Sequence, residues 1–256
     1  MIDYDALLNT ASTMGVGMLE SGAEAYRVED SLLRLCRAYG AETGEIFAMP
    51  SLLIVSLCDP EGHSHTRIRR LYRHGTDLHQ VDELNSLCRT VCRDTPPFSQ
   101  VDGELARLAA ETGFPPPLLV AGYAFVAAFF TPLFGGDFFD ALCALAAGAS
   151  IGLLKLPMDR HRTNSFFVGT VCSMVAALVA IAGVKLGVGH HIDKVIIGAF
   201  MGLVPGVAIT NFMRDVLAGD LFSGITKLTE SLLTATALAL GAGIAISLGR
   251  TFWGVI

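Results

Sequence analysis

Residues 163–184 read TNSFFVGTVCSMVAALVAIAGV, 22 positions without an acidic, basic or histidine side chain. A helix needs about 20 mainly apolar residues to cross the hydrocarbon of a bilayer. This stretch therefore decides the fold class: part of the chain is built for lipid. Uncharged runs on either side of it extend the reading. Together they predict spans near 117–135, 138–156, 164–185, 194–213 and 228–249, an all-α bundle of about five transmembrane helices. The second run is short, because only the segment between Asp140 and Lys155 is free of charge.

Upstream the chemistry changes. Residues 1–113 carry 17 acidic and 10 basic side chains, whereas residues 114–256 carry only 7 and 8. A soluble domain is about one-quarter charged, so 1–113 reads as a water-soluble domain and 114–256 as the transmembrane domain. Neither half has the clustered positive stripe that nucleic acid requires. The start, Met1 to Asp5, has two acids and no basic leader, which predicts a cytoplasmic N-terminal domain rather than a secreted one. The inner loops would then hold Lys155, Arg160, Arg162, Arg214 and Lys227, against Lys185, Lys194 and Arg250 outside. That excess follows the positive-inside rule.

The soluble half reads as α+β. Helix is expected from about Asp3 to Tyr39, with Gly15, Gly17 and Gly22 as weak points. Short strands follow at Ile46–Met49 and Leu52–Cys58. The turn Asp59-Pro60-Glu61-Gly62 then leads to an alternating strand over His65–Leu71, which makes a hairpin. Two helices close the domain, near Asp77–Asp94 and Ser99–Thr112.

No catalytic signature stands out. His63, His65, His74 and His79 lack metal-binding spacing and read as solvated. The basic patch Arg67, Arg69, Arg70 and Arg73 suits a solvated face or anionic lipid heads. The six cysteines show no paired spacing and read as free thiols. A phosphate-binding loop of the ATPase type is absent, as are the motifs of intramembrane aspartyl and serine proteases. The expectation is a protein that is not an enzyme, with neither metal nor cofactor.

Ionisable groups are costly in a membrane and default to functional candidates. Asp137 and Asp140 follow Gly135-Gly136 and lie three apart, so they can share a helix face and act as a proton site. The competing reading is a turn with an N-cap aspartate. Pro205-Gly206 should break an apolar helix, and transporters place substrate at such breaks. After it come Thr210, Asn211, Arg214, Asp215, Asp220, Ser223, Gly224, Lys227 and Glu230. Arg214 can clasp a carboxylate through both arms of its fork, with Thr210 and Asn211 adding hydrogen bonds. Substrate contact is thus expected at Arg214, Thr210, Asn211, Pro205 and Gly206. Proton coupling is expected among Asp137, Asp140, Asp215, Asp220 and Glu230, with Lys227 and Glu230 pairing. Glycines repeating every fourth residue, Gly148/Gly152 and Gly198/Gly202/Gly206, predict close helix packing inside the bundle.

The order of these parts resembles the threonine/serine exporter family. The residues that carry the resemblance are Ser21-Gly22-Ala23-Glu24-Ala25-Tyr26-Arg27-Val28-Glu29-Asp30, Arg67-Ile68-Arg69-Arg70 and Gly135-Gly136-Asp137. Pro205-Gly206, Arg214-Asp215, Gly219-Asp220 and Gly224 add to them. In length and span count the chain resembles the larger, YjjP-type half of the split form of that family. The resemblance implies a bacterial inner-membrane exporter of small carboxylate-bearing metabolites, succinate or threonine and serine, driven by the proton-motive force. It also implies a small YjjB-type membrane partner in a hetero-oligomer. The rival reading is a regulatory or scaffold subunit whose soluble domain senses a ligand and which transports nothing itself.

Overall fold

The computed structural model describes residues 2–41, 43–72, 75–111, 113–161 and 163–254. They form two compact units, residues 1–111 with 206–229, and residues 112–205 with 230–256. Residues 206–229, which sequence reading assigns to the membrane half, thus cluster with the N-terminal unit.

In the first unit Asp3 opens α1 (Tyr4–Glu20) by accepting a hydrogen bond from the Ala6 amide, 3.0 Å. The expected long helix to Tyr39 is interrupted, and α2 spans Ala25–Ala38. Gly22 breaks it: its φ is +92°, and a Cβ there would lie 2.8 Å from the Gly75 carbonyl oxygen. Three antiparallel strands follow in the order β1-β2-β3: β1 Thr43–Met49, β2 Leu52–Cys58 and β3 Ser64–Arg70. Ile54 sits in register with Phe47 on one side and Ile68 on the other. Strand β1 begins three residues earlier than expected because Gly44, a poor strand former, packs against Leu57 where no side chain would fit.

Alternation along β2 sends Leu53, Val55 and Leu57 into a core shared with Leu7, Met14 and Leu32, all fully buried. Helices α3 (Leu78–Asp94) and α4 (Phe98–Ala110) complete this layer. Asp77 caps α3 through the Gln80 amide, 3.0 Å. Of the sequence-singled residues, Arg73, His74 and Arg162 lie outside the described ones.

The second unit holds α5 (Pro116–Leu133), α6 (Phe138–Arg160), α7 (Ser165–Lys185), α8 (Ile192–Phe200) and most of α10 (Leu221–Trp253). Among the described residues, four helices are long and apolar enough to cross a membrane: α5, α6, α7 and α10. The second run is not short, since α6 continues for 23 residues and carries Lys155 within it. The expected fourth span is not one helix. It ends at Phe200 and resumes as α9 (Gly206–Ala218) in the first unit. Pro205 lacks the amide that would continue the ladder, and residues 201–205 are non-helical. Exposed Phe125, Phe129 and Leu153 on α5 and α6 suit a surface that meets lipid.

Glycines set the distance between α5 and α6. A Cβ on Gly152 would lie 2.7 Å from the Val120 Cα, and one on Gly148 would run into the Tyr123 carbonyl and the Ala127 methyl. Overpacking costs about 1–3 kcal/mol, and backbone here cannot yield as a side chain can. Gly152→Leu should therefore lower the unfolding midpoint of the purified protein in detergent. Gly122→Ala, with nothing within 4 Å, should leave it unchanged, and equal melting of the two variants would contradict this packing.

Candidate functional site

The interruption between α1 and α2, helix α3 and helix α9 build a pocket of mixed polar and apolar lining in the first unit. Its cavity is about 150 Å³ and is lined by Gly22, Glu24, Arg27, Asn85, Asn211 and Arg214. Arg214 Nη1 donates to Glu24 Oε1 at 2.6 Å, and Arg27 Nε lies 2.8 Å from the other Glu24 oxygen. Asn211 Nδ2 donates to the Gly22 carbonyl at 3.1 Å. The Glu24 side chain is 6% exposed and that of Arg214 56%. Burial pushes the Glu24 carboxyl up, but the Arg214 hydrogen bond and the charge of Arg27 outweigh it, so Glu24 stays below its usual range. The result is a buried carboxylate between two guanidinium groups, both of them more than half exposed.

The structure brings Arg214 and Asn211 together as sequence reading expects. It does not add Thr210, whose hydroxyl donates to the Gly206 carbonyl of its own helix at 3.0 Å. Pro205 and Gly206 only start α9. Glu24, Arg27 and Asn85 were missed as site residues. The family-like segment Ser21–Asp30 contains the first two, but nothing in one-dimensional spacing ties it to residue 214.

Asp215 lies on the buried side of α9, fully enclosed, and accepts from Lys227 Nζ of α10 at 2.7 Å. Lys227 thus pairs with Asp215, a partner not foreseen when Glu230 was expected. Among the described residues, the other Asp215 oxygen and the Ser223 hydroxyl, both buried, have no hydrogen-bond partner. Burial raises the Asp215 carboxyl even though Lys227 opposes it. Asp220 caps α10 by accepting from the Ser223 amide at 3.1 Å. Glu230 is half-buried on α10, in the second unit.

Asp137 and Asp140 do not share a proton face to face. They form a capping box at the start of α6: Asp137 accepts from the Asp140 amide at 2.8 Å, and Asp140 from the Asp137 amide at 3.0 Å. The buried Asp140 also accepts from the amides of His190 and His191, at 2.7 and 2.9 Å, and from His191 Nδ1–H at 2.7 Å. His190 Nδ1–H donates to Asp137. Sequence reading missed both histidines, which lie some fifty residues downstream in the link between α7 and α8.

The ligand atoms of Asp137, Asp140 and His190 lie within 4.8 Å of one another, as do those of Asp59, Glu61 and His63. Either set is compact enough for a cation, but Asp59, Asp137 and Asp140 are already engaged. Asp59 accepts from the His63 amide and both nearby imidazoles. Burial works against its ionisation, yet these bonds hold it down at about 2.

The Asp137 hydrogen bond and charge hold the His190 imidazole above its ordinary value. The favourable state is therefore complete below the ordinary histidine pKa and is lost as pH rises through the raised one. In a nitrogen NMR titration His190 should lose its proton later than a free histidine, and Asp137→Asn should return it to ordinary behaviour. An unshifted His190 in the parent protein would remove the pair.

Four helices among the described residues, long and apolar enough to cross a membrane, fit a multi-pass membrane protein, and the family match places it in the transport class. The chain belongs to the threonine/serine exporter family, whose sequence model, described as "Putative threonine/serine exporter", matches residues 9–249. It is 22% identical over 239 residues to the "Probable succinate transporter subunit YjjP" of Klebsiella aerogenes, covering 93% of this chain and 90% of that protein. The Escherichia coli protein of the same description is 22% identical over 245 residues, 94% and 92% of the two chains. The "Probable threonine/serine exporter" of Mycobacterium tuberculosis is 23% identical over 231 residues, 90% of this chain but 44% of that protein. No solved structure matches.

Proposed function

We propose that this chain is a subunit of a bacterial inner-membrane exporter of small carboxylate-bearing metabolites, succinate or threonine and serine. The observation that carries the reading is Arg214. Its guanidinium stands half in solvent at the mouth of a small pocket and already holds a carboxylate, that of Glu24. A substrate carboxylate can compete for the same fork. Asn211 lines the pocket, while Thr210, Pro205 and Gly206 support α9.

Coupling to protons falls to Asp215, buried with one free oxygen and a raised pKa, or to Asp137 and Asp140 with their histidines. Asp220 and Glu230 are the remaining acids of this segment. We place the N-terminal unit in the cytoplasm and α5, α6, α7 and α10 across the membrane. Of the expected 194–213 span, α8 lies in the membrane unit and α9 in the N-terminal unit. The word "subunit" in the names of two relatives supports a second chain, and we assign that role to a small YjjB-type membrane protein.

Counterflow of labelled succinate, threonine and serine in vesicles holding this chain and such a partner tests the reading. At least one label should exchange, and dissipating the proton gradient should abolish its accumulation. Exchange of none of the three would overturn the proposal.

A further inference from the structure

The second unit holds a partly open cleft of its own, about 160 Å³, lined by polar and apolar side chains alike. Tyr123 reaches it from α5, Lys155 and Asp159 from α6, Ser165 from the first turn of α7 and Thr234 from α10. Gly202 and Leu203 close it from the non-helical stretch that follows α8. A liquid water occupies about 30 Å³, so the space admits roughly five waters or one small metabolite.

Three observations point to a ligand. First, four polar side chains and one tyrosine from four helices converge on one space in a unit whose buried core is mainly alanine, valine and isoleucine. Second, the wall includes unwound backbone at Gly202 and Leu203, and transporters use such irregular backbone to line a cavity. A Cβ on Gly202 would lie 2.8 Å from the Tyr123 ring, so the glycine lets the ring stand against this stretch. Third, Lys155 Nζ and Asp159 Oδ2 lie 2.9 Å apart, and both line the cavity. One cation beside one anion is the complement of a zwitterion. The first turn of α7 adds the positive end of its dipole.

We propose that this cavity is a binding site for a small α-amino acid within the membrane unit. Lys155 takes the carboxylate, Asp159 the ammonium group, and the hydroxyls of Tyr123, Ser165 and Thr234 hydrogen-bond a polar side chain. A dicarboxylate would find one cation here and be repelled by Asp159. The inference rests on the exporter reading and adds to it a site separate from Arg214.

The test is equilibrium binding of labelled L-threonine to the purified full chain in nanodiscs, with L-serine and succinate as competitors, alongside the vesicle counterflow. Lys155→Gln should weaken threonine binding by roughly tenfold or more, the loss of one charge-assisted hydrogen bond, and Lys155→Arg should restore much of it. Asp159→Asn should weaken threonine but not succinate. Thr234→Val and Tyr123→Phe remove one hydroxyl each, and they decide the matter if the lysine variants fail to fold. Counterflow that persists while all of these variants bind threonine like the parent would overturn the site and leave the exporter reading standing. If the parent chain neither binds nor exchanges any of the three probes, both fall. Succinate binding that exceeds threonine binding and is untouched by Asp159→Asn would overturn the amino-acid assignment.

Discussion

Arg214→Ala should abolish counterflow by the reconstituted exporter while leaving the protein inserted and helical. The side chain is 56% exposed and, among the described residues, forms its ion pair with Glu24, so its removal does not open the core. Glu24 keeps Arg27 at 2.8 Å, and the buried carboxylate is therefore not left without a counter-charge. A charge-assisted hydrogen bond to a substrate carboxylate is worth about 1.5–3 kcal/mol, and a two-armed contact more. The expected loss in apparent affinity is thus roughly tenfold to a hundredfold or beyond.

Arg214→Lys should recover only part of this, because an ammonium keeps the charge and loses the planar fork. Glu24→Gln separates binding from architecture. If Arg214 binds substrate, weakening its internal partner leaves the guanidinium freer and should not reduce affinity. If the pair only ties α9 to the turn between α1 and α2, Glu24→Gln and Arg214→Ala should lose activity together, in step with the folded fraction. That second pattern would remove Arg214 from the substrate site.

Much of this architecture was legible in the chain because it rests on local rules. Uncharged length marks α5, α7 and the apolar part of α10, and alternation with a proline-glycine turn marks the β2–β3 hairpin. What was not legible depends on pairing across distance. Lys155 divides an uncharged run and shortens the apparent second span, but in the fold it pairs with Asp159 one turn on and the helix continues past it. Pro205-Gly206 announces a break, yet composition cannot tell a kink inside one span from two separate helices. Gly22 was read as a weak point, whereas its left-handed backbone makes the turn that presents Glu24 and offers the Gly22 carbonyl to Asn211. The partners of the charged candidates, Glu24 for Arg214 and His190 and His191 for Asp137 and Asp140, lie fifty to nearly two hundred residues away. No helical or strand period links such positions.

Asp140→Ala should be the most destabilising single change in the membrane unit. The carboxylate is fully buried and accepts four hydrogen bonds, from the amides of Asp137, His190 and His191 and from the His191 ring. It joins the start of α6 to the link between α7 and α8, and Gly189 passes close by it. Hydrogen bonds to a charged acceptor are worth about 1.5–3 kcal/mol each, but they are not additive, and the freed donors can in part find water. Leaving a buried donor without its acceptor costs about 1–3 kcal/mol, so a loss of a few kcal/mol is the expected scale.

Asp140→Asn retains the shape and one carbonyl oxygen but turns the other position into a donor. It should therefore cost less than Asp140→Ala while still releasing part of the His190–His191 link. The measurement is the unfolding midpoint in detergent, with hydrogen exchange at the His190 and His191 amides as the local readout. Protection at both amides should fall in each variant, and more steeply with alanine. Unchanged protection in Asp140→Ala would mean that the link holds without the carboxylate. Where the asparagine variant still folds, its dependence on the proton gradient separates structure from coupling. Counterflow that proceeds without accumulation marks Asp140 as part of the proton path, and accumulation at the parent level leaves Asp140 as an anchor and returns the coupling role to Asp215.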